Sequence, residues 1–233
     1  MNIKLIGHGD ITSKDFYTSV LIDHILIGMP PGTLKELKKE DIKTEDIRII
    51  IVTHLLGESY FDLPMFLYHE YLRKRSEPLV IIGPKDLKKK VDKLIKMAFK
   101  ERIIDDLKVS FLDAASIQNT NVTHDLYFSF VNLKHKYIKN CYGLIIQNDQ
   151  TSLGYIGETQ ACPGIPYLLK AVKHCIITVG DDDLSRINLM EFKDLASKFN
   201  INYVPVGYPD AMSKKINEVK NAKLIKSGEQ FYI

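Results

Sequence analysis

The sequence predicts an α/β fold with a substantial all-β middle, and three observations carry that prediction. Short β-branched runs alternate with helix-length segments from end to end. The run at 47–53, IRIIIVT, is apolar almost throughout, as expected of a strand covered on both faces. From about 109 to 156 the chain reads as successive strands separated by turns rich in Asn, Asp and Gly, rather than as strand–helix units.

The elements follow in order. Residues 1–6 read as a strand stopped by Gly7-His8-Gly9, and 18–22 with 25–27 as a hairpin-like pair. After the strand at 47–53, residues 61–73 have helical spacing, with Phe61, Met65, Leu67 and Leu72 available for an inner face. A short buried strand at 79–82 closes on Gly83-Pro84, and a Lys-rich helix follows at 86–98. Strands are expected at 109–112, 125–133, 142–147 and 152–156. A helix at 165–172, a strand at 175–179, a helix at 189–199, a strand at 203–206, a helix at 211–219 and two short closing strands complete the chain.

Composition bounds the function. The 233 residues are 45% hydrophobic and 26% charged, without Trp, which is an ordinary globular balance. With no linker or low-complexity segment, residues 1–233 read as one domain. A net charge of +3 is too small to call for nucleic acid or an anionic membrane as partner. No apolar run approaches the roughly 18 residues of a membrane span, and the amino terminus turns polar too soon for a secretory signal. Cys141, Cys162 and Cys175 form neither a disulfide framework nor a metal knuckle. The expected compartment is a reducing cytoplasm.

Residues 49–64, IIIVTHLLGESYFDLP, carry a family resemblance. The chain resembles the metallo-β-lactamase superfamily, in which a buried strand is followed by Thr-His-x-His-x-Asp-His and a helix opening near Gly-Leu-Pro. Here that frame reads Thr53-His54-Leu55-Leu56-Gly57-Glu58-Ser59, with Asp62-Leu63-Pro64 after it. Gly7-His8-Gly9, Thr18-Ser19 and Leu26-Ile27-Gly28 are similar to further landmarks in the family's order. The strand and Gly-Pro turn at 79–87, His135 followed by Tyr142-Gly143, Gly157-Glu158-Thr159 and Val204-Pro205-Val206-Gly207 resemble the RNase Z and phosphodiesterase-like branch. The resemblance implies a four-layer αββα sandwich, and a homodimer through the surfaces near 61–73 and 86–98.

It also implies a two-metal hydrolytic site, and most of that site has been substituted. His54, His135 and a lengthened Glu158, in the place of the bridging aspartate, remain. Leu56, Ser59 and Gly207 stand where three histidines are expected, and Glu58 where an aspartate is. Leu and Gly offer no side-chain lone pair, and a Ser hydroxyl is a poor zinc ligand beside imidazole. The expectation is no metal, or one divalent ion (zinc, manganese or iron) on His54, His135 and Glu158, a ligand set that leaves a position open for water. Glu58 and Glu158 are the catalytic candidates, while His8, Ser59 and Gly207 are the pocket candidates for a small-molecule ligand. The plainer alternatives are a hydrogen-bonded His54, a Glu58 that caps the next helix, and a Glu158 that satisfies backbone amides. Asp181-Asp182-Asp183 reads as a solvated loop, and Lys85, Lys88, Lys89, Lys90, Lys93 and Lys96 as a solvated helix face, without the interleaved aromatics of a base-stacking surface. The expected function is a family protein that is non-catalytic or altered in activity. The alternative is a single-metal hydrolase of phosphodiester, lactone or thioester bonds.

Overall fold

A computed structural model describes residues 1–99, 103–123, 125–180 and 185–233. The acidic run Asp181-Asp182-Asp183 lies outside the described residues. The first half supplies β1 (Asn2–Gly7), β2 (Ser19–Ile22), β3 (Ile25–Ile27), β4 (Ile49–Ile51), β5 (Leu79–Gly83) and β6 (Val109–Asp113). The second supplies β7 (Thr120–Thr123), β8 (Leu126–Leu133), β9 (Cys141–Gln147), β10 (Ser152–Ile156), β11 (His174–Gly180), β12 (Ile187–Asn188) and β13 (Asn202–Val206), and β14 (Gln230–Tyr232) comes last. One sheet runs β14-β1-β2-β3-β4-β5-β6; the other runs β12-β11-β10-β9-β8-β7, with β13 also paired to β11.

Helices α1 (Thr33–Lys39), α2 (Gly57–Tyr60), α3 (Leu63–Leu72) and α4 (Leu87–Phe99) belong to the first half. Helices α5 (Gly164–Lys170), α6 (Leu189–Lys198) and α7 (Ser213–Asn217) belong to the second. Strand alternation decides what each layer buries. On β4, Ile49 and Ile51 join β8 residues Phe128 and Phe130 in a core between the sheets, while Ile50 and Val52 face α1, α3 and α4. On β8, Val131 and Leu133 turn to the opposite face, into the apolar layer that α5, α6 and α7 share. Three apolar layers therefore separate four structural layers, the αββα sandwich that the resemblance implied. Among the described residues no helix is long and apolar enough to cross a membrane.

The structure revises several expected elements. The inner face of α3 is Leu63, Phe66, Leu67 and Glu70, whereas Phe61, Met65 and Leu72 are 52%, 46% and 61% exposed. The helix starts only after Asp62, with Pro64 in its first turn, and it docks with the i, i+3, i+4, i+7 stripe of Leu63, Phe66, Leu67 and Glu70 inward. Residues 109–113 join the first sheet parallel to β5 instead of the β-rich middle. Helix α1 and the exposed edge strand β7 had no distinct periodicity to announce them. One closing strand, β14, forms against β1. Cys141 and Cys175 are buried and Cys162 is partly so, all three as free thiols. Burial first, then the neighbouring Cys162 and Glu158, push the Cys141 thiol up to about 12, so it is an inert core group.

Candidate functional site

A pocket of about 180 Å³ opens between the sheets, lined by residues from the carboxyl ends of β1, β4, β10, β11 and β13. β4 delivers His54. The Tyr142 amide donates to the Thr53 carbonyl at 3.0 Å, and His54 bridges Cys141, so the turn after β4 is sewn to the start of β9. Thr53 Oγ1 lies 3.0 Å from His54 Nδ1, which orients the ring. His54 Nε2 is buried and makes no hydrogen bond; Glu58 Oε1 is 3.5 Å away.

Glu58 stands in the first turn of α2, four residues beyond His54, and its side chain enters the pocket. Burial works to raise its pKa, but the nearby His54 ring and hydrogen bonding to backbone pull it down to about 2. Glu158 moves the other way. Burial and the neighbouring Glu58 carboxylate raise it, against the pull of Arg186 and His54. Donor atoms of His54, Glu58 and Glu158 all lie within 4.8 Å of one another.

His135 stands beside this cluster. Its ring stacks on His54 with centroids 6.0 Å apart, and its Nε2 is 4.0 Å from Glu158 Oε2. The Tyr137 amide donates to His135 Nδ1 at 3.1 Å, so the neutral ring carries its proton on Nε2, on the Glu158 side. The Thr159 hydroxyl and the Gln160 amide both donate to the Lys134 carbonyl, which ties the 134–135 and 158–160 segments together.

Ser59 and Gly207 are among the residues lining the pocket. Gly207 has φ +67°, and a Cβ there would meet Thr178 Cγ2 at 2.6 Å. His8 is not among the lining residues. Its Nδ1 lies 2.8 Å from Asp15 Oδ2 and 3.1 Å from Ser227 Oγ, and its ring packs on Tyr208 in an adjacent groove. Both neighbours approach the same ring nitrogen, so this is not the relay of a serine hydrolase, which uses the two nitrogens separately.

Two site residues were missed from sequence. Arg186 reaches into the pocket and donates a hydrogen bond from Nε to Glu158 Oε1 at 2.8 Å, with Nη2 in ion-pair contact with the same oxygen at 2.6 Å. Its Nη1 bonds Asp10 Oδ2 at 3.0 Å. Asp10 is almost fully buried, and burial is outweighed by hydrogen bonds from Thr12 and by Arg186, which hold its carboxyl below the usual range. A faint signal existed for both. Arg186 is the one arginine after position 102, in a chain with 27 lysines and five arginines. Asp10 opens an Asp-x-Thr-Ser turn directly after Gly7-His8-Gly9.

The dinuclear group of the superfamily does not fit these residues. Leu56, Ser59 and Gly207 supply no imidazole, and Arg186 already engages Oε1 of the carboxylate that two ions would share. The donor types suit a single ion, since the buried His54 Nε2, without a hydrogen bond, faces Glu58 and Glu158, although Arg186 already engages one Glu158 oxygen.

The family model described as Anti-Pycsar protein Apyc1 matches residues 1–231. The chain is 30% identical over 144 residues to Ribonuclease Z of Borreliella burgdorferi (strain ZS7), an alignment covering 54% of this chain and 45% of that protein. It thus spans less than half the length of that relative. By structure it is similar to human tRNase Z, short form, with TM-score 0.78 at 16% identity, covering 100% of this chain and 99% of that one. The metallo-β-lactamase fold protein YhfI from Bacillus subtilis gives TM-score 0.77 at 15% identity, covering 99% and 98% of the two chains. Built on that sandwich and matched almost from end to end, the chain belongs to the Anti-Pycsar protein Apyc1 family, on the RNase Z-like branch of the metallo-β-lactamase superfamily.

Proposed function

We propose that this chain is a metallo-β-lactamase-fold protein whose two-metal hydrolytic centre has been converted into a ligand-binding pocket, non-catalytic or altered in activity. The observation that carries this reading is the Arg186–Glu158 ion pair, with Nη2 and Nε at 2.6 and 2.8 Å from Oε1, on the carboxylate that a dinuclear centre would need. The missing imidazoles at Leu56, Ser59 and Gly207 support it. Elemental analysis of protein purified without chelator is expected to find less than one transition metal per chain. Hydrolysis of bis(p-nitrophenyl) phosphate is expected at the rate of buffer alone.

A second reading, a single-ion hydrolase of phosphodiester-type bonds, is favoured by His54 Nε2, which is buried with no hydrogen bond and 3.5 Å from Glu58. His54, Glu58 and Glu158 would hold the ion. The sequence-based ligand set of His54, His135 and Glu158 shares two of these, and His135 would then orient Glu158 from behind. When bound, a divalent ion there supplies an acidified water. About one metal per chain with steady turnover, both lost in His54→Ala, would overturn the first reading in favour of this one.

The family reading also makes the chain a homodimer. Phe61, Met65 and Leu72 are exposed on one side of the α3 segment, at helical spacing, with Tyr68 between them. Sedimentation is expected to give a dimer for the wild type and a monomer for Met65→Glu/Leu72→Glu. A monomeric wild type would remove this assignment.

A further inference from the structure

Arg186 is held from three sides. Its Nε and Nη1 donate to Glu158 and Asp10, and its Nη2 makes an ion-pair contact with Glu158. Asp10 is itself prepared for that bond: its Oδ1 accepts from the Thr12 amide and hydroxyl, both at 2.8 Å, and from the Ser13 amide at 2.9 Å. Only Oδ2 is turned toward the guanidinium. The arginine's stem lies in a cradle over Gly180, where an added Cβ would come within 2.9 Å of Arg186 Cβ and 3.2 Å of its Cγ. The short pairing of Val179 and Gly180 with Ile187 and Asn188 sets the chain direction that brings residue 186 there.

The charges around it point the same way. Among the described residues lining the pocket, three carboxylates, those of Asp10, Glu58 and Glu158, face one cation. Such a site attracts positive charge, and Arg186 is the positive charge it already has. Guanidinium does not deprotonate in proteins, so this cation is permanent, unlike a lysine in the same place. A dication seeking Glu158 would meet both an occupied oxygen and direct repulsion at short range.

We propose that Arg186, held in place by Asp10, is a tethered substitute for a metal ion, and that by engaging Glu158 it holds shut a latent divalent-cation site made by His54, Glu58 and Glu158. The proposal rests on the converted-centre reading only in taking Glu158 as the carboxylate at issue. The test is calorimetric titration of the full chain with Mn²⁺ alone, for wild type, Arg186→Gln, Arg186→Ala and Arg186→Lys. The Gln and Ala variants are expected to bind one Mn²⁺ at least about tenfold more tightly than wild type, since they remove a full charge from the ion's neighbourhood. The Lys variant, which keeps a charge, is expected to stay near wild type. Equal or weaker Mn²⁺ binding in the Gln and Ala variants would overturn the proposal, and so would a Lys variant that binds as tightly as Gln.

Arg186→Ala leaves two buried carboxylates without their partner and is the variant most at risk of unfolding. Arg186→Gln keeps amide donors for both, and thermal unfolding with and without Mn²⁺ provides a second readout. Mn²⁺ is expected to raise the melting temperature of Arg186→Gln more than that of wild type; an equal rise would count against the proposal. Hydrolysis and metal content of the wild type judge the proposed function, whereas the variant-to-wild-type ratio of Mn²⁺ affinity judges this inference. Either can fail alone.

Discussion

Glu70→Ala is expected to cost about 3–5 kcal/mol of stability, because it removes one partner of a fully buried ion pair and leaves the other uncompensated. Glu70 and Arg75 are joined at 2.7 Å with side chains 0% and 1% exposed. Arg75 also donates to the carbonyls of Thr44 and Ile47, and Glu70 accepts from the Thr44 hydroxyl at 2.7 Å. These contacts tie α3 to the segment leading into β4, the strand that carries His54. Burial alone would raise the Glu70 carboxyl, but the hydrogen bonds from Thr44, Arg75 and His69, with the Arg75 charge, hold it below its ordinary value. A depressed carboxylate stabilises the fold at pH above its unfolded value and loses that contribution as pH falls through its folded one. Wild type should therefore lose stability as pH drops below the normal carboxylate range, and Glu70→Gln should flatten that part of the profile. Calorimetry at neutral pH should show Glu70→Ala melting on the order of 10 °C lower. A loss within error of zero would mean that the pair contributes only geometry.

Gly207→His, the substitution that restores a histidine at the last ligand position of the family pattern, is expected to destabilise the protein without restoring metal. Two independent obstacles stand in its way. The backbone at 207 has φ +67°, and the left-handed region costs an L-residue roughly 1–2 kcal/mol. A Cβ there also meets Thr178 Cγ2 at 2.6 Å, so β11 and β13, which are paired through Thr178 and Val206, would have to shift. Adding Thr178→Ala should recover the steric part of the loss and leave the conformational part. Thermal melts of the single and double variants, each with a zinc titration, separate the two. Stoichiometric zinc in Gly207→His with an unchanged melting temperature would show that the site is one substitution from its ancestral form.

Much of the architecture was legible because it rests on local pattern. The largely apolar 47–53 run announced a doubly covered strand, and the strands at 25–27 and 152–156 fall where the local pattern put them. The face of α3 was not legible. Phe61, Met65 and Leu72 have the residue types of a core, and only the docking of α3 against the first sheet and its helices decides that Phe66 and Glu70 go inward instead. A buried glutamate is invisible to any hydrophobic pattern, since what allows it is Arg75, five residues on and folded back. Nor does the sequence of 109–113 distinguish an edge of the first sheet from a member of the second, because strand pairing is a long-range choice.

The candidate site divides along the same line. By itself the sequence determined which ligand types were present and which were gone: His54, Glu58, His135 and Glu158 on one side, Leu56, Ser59 and Gly207 on the other. Side-chain chemistry travels with the residue wherever the chain folds. Only the tertiary structure decided that Arg186, 28 residues from Glu158 and 176 from Asp10, closes on both carboxylates. Electrostatic partnership depends on distance in space and on exclusion of water, and neither is written in the local order of the chain.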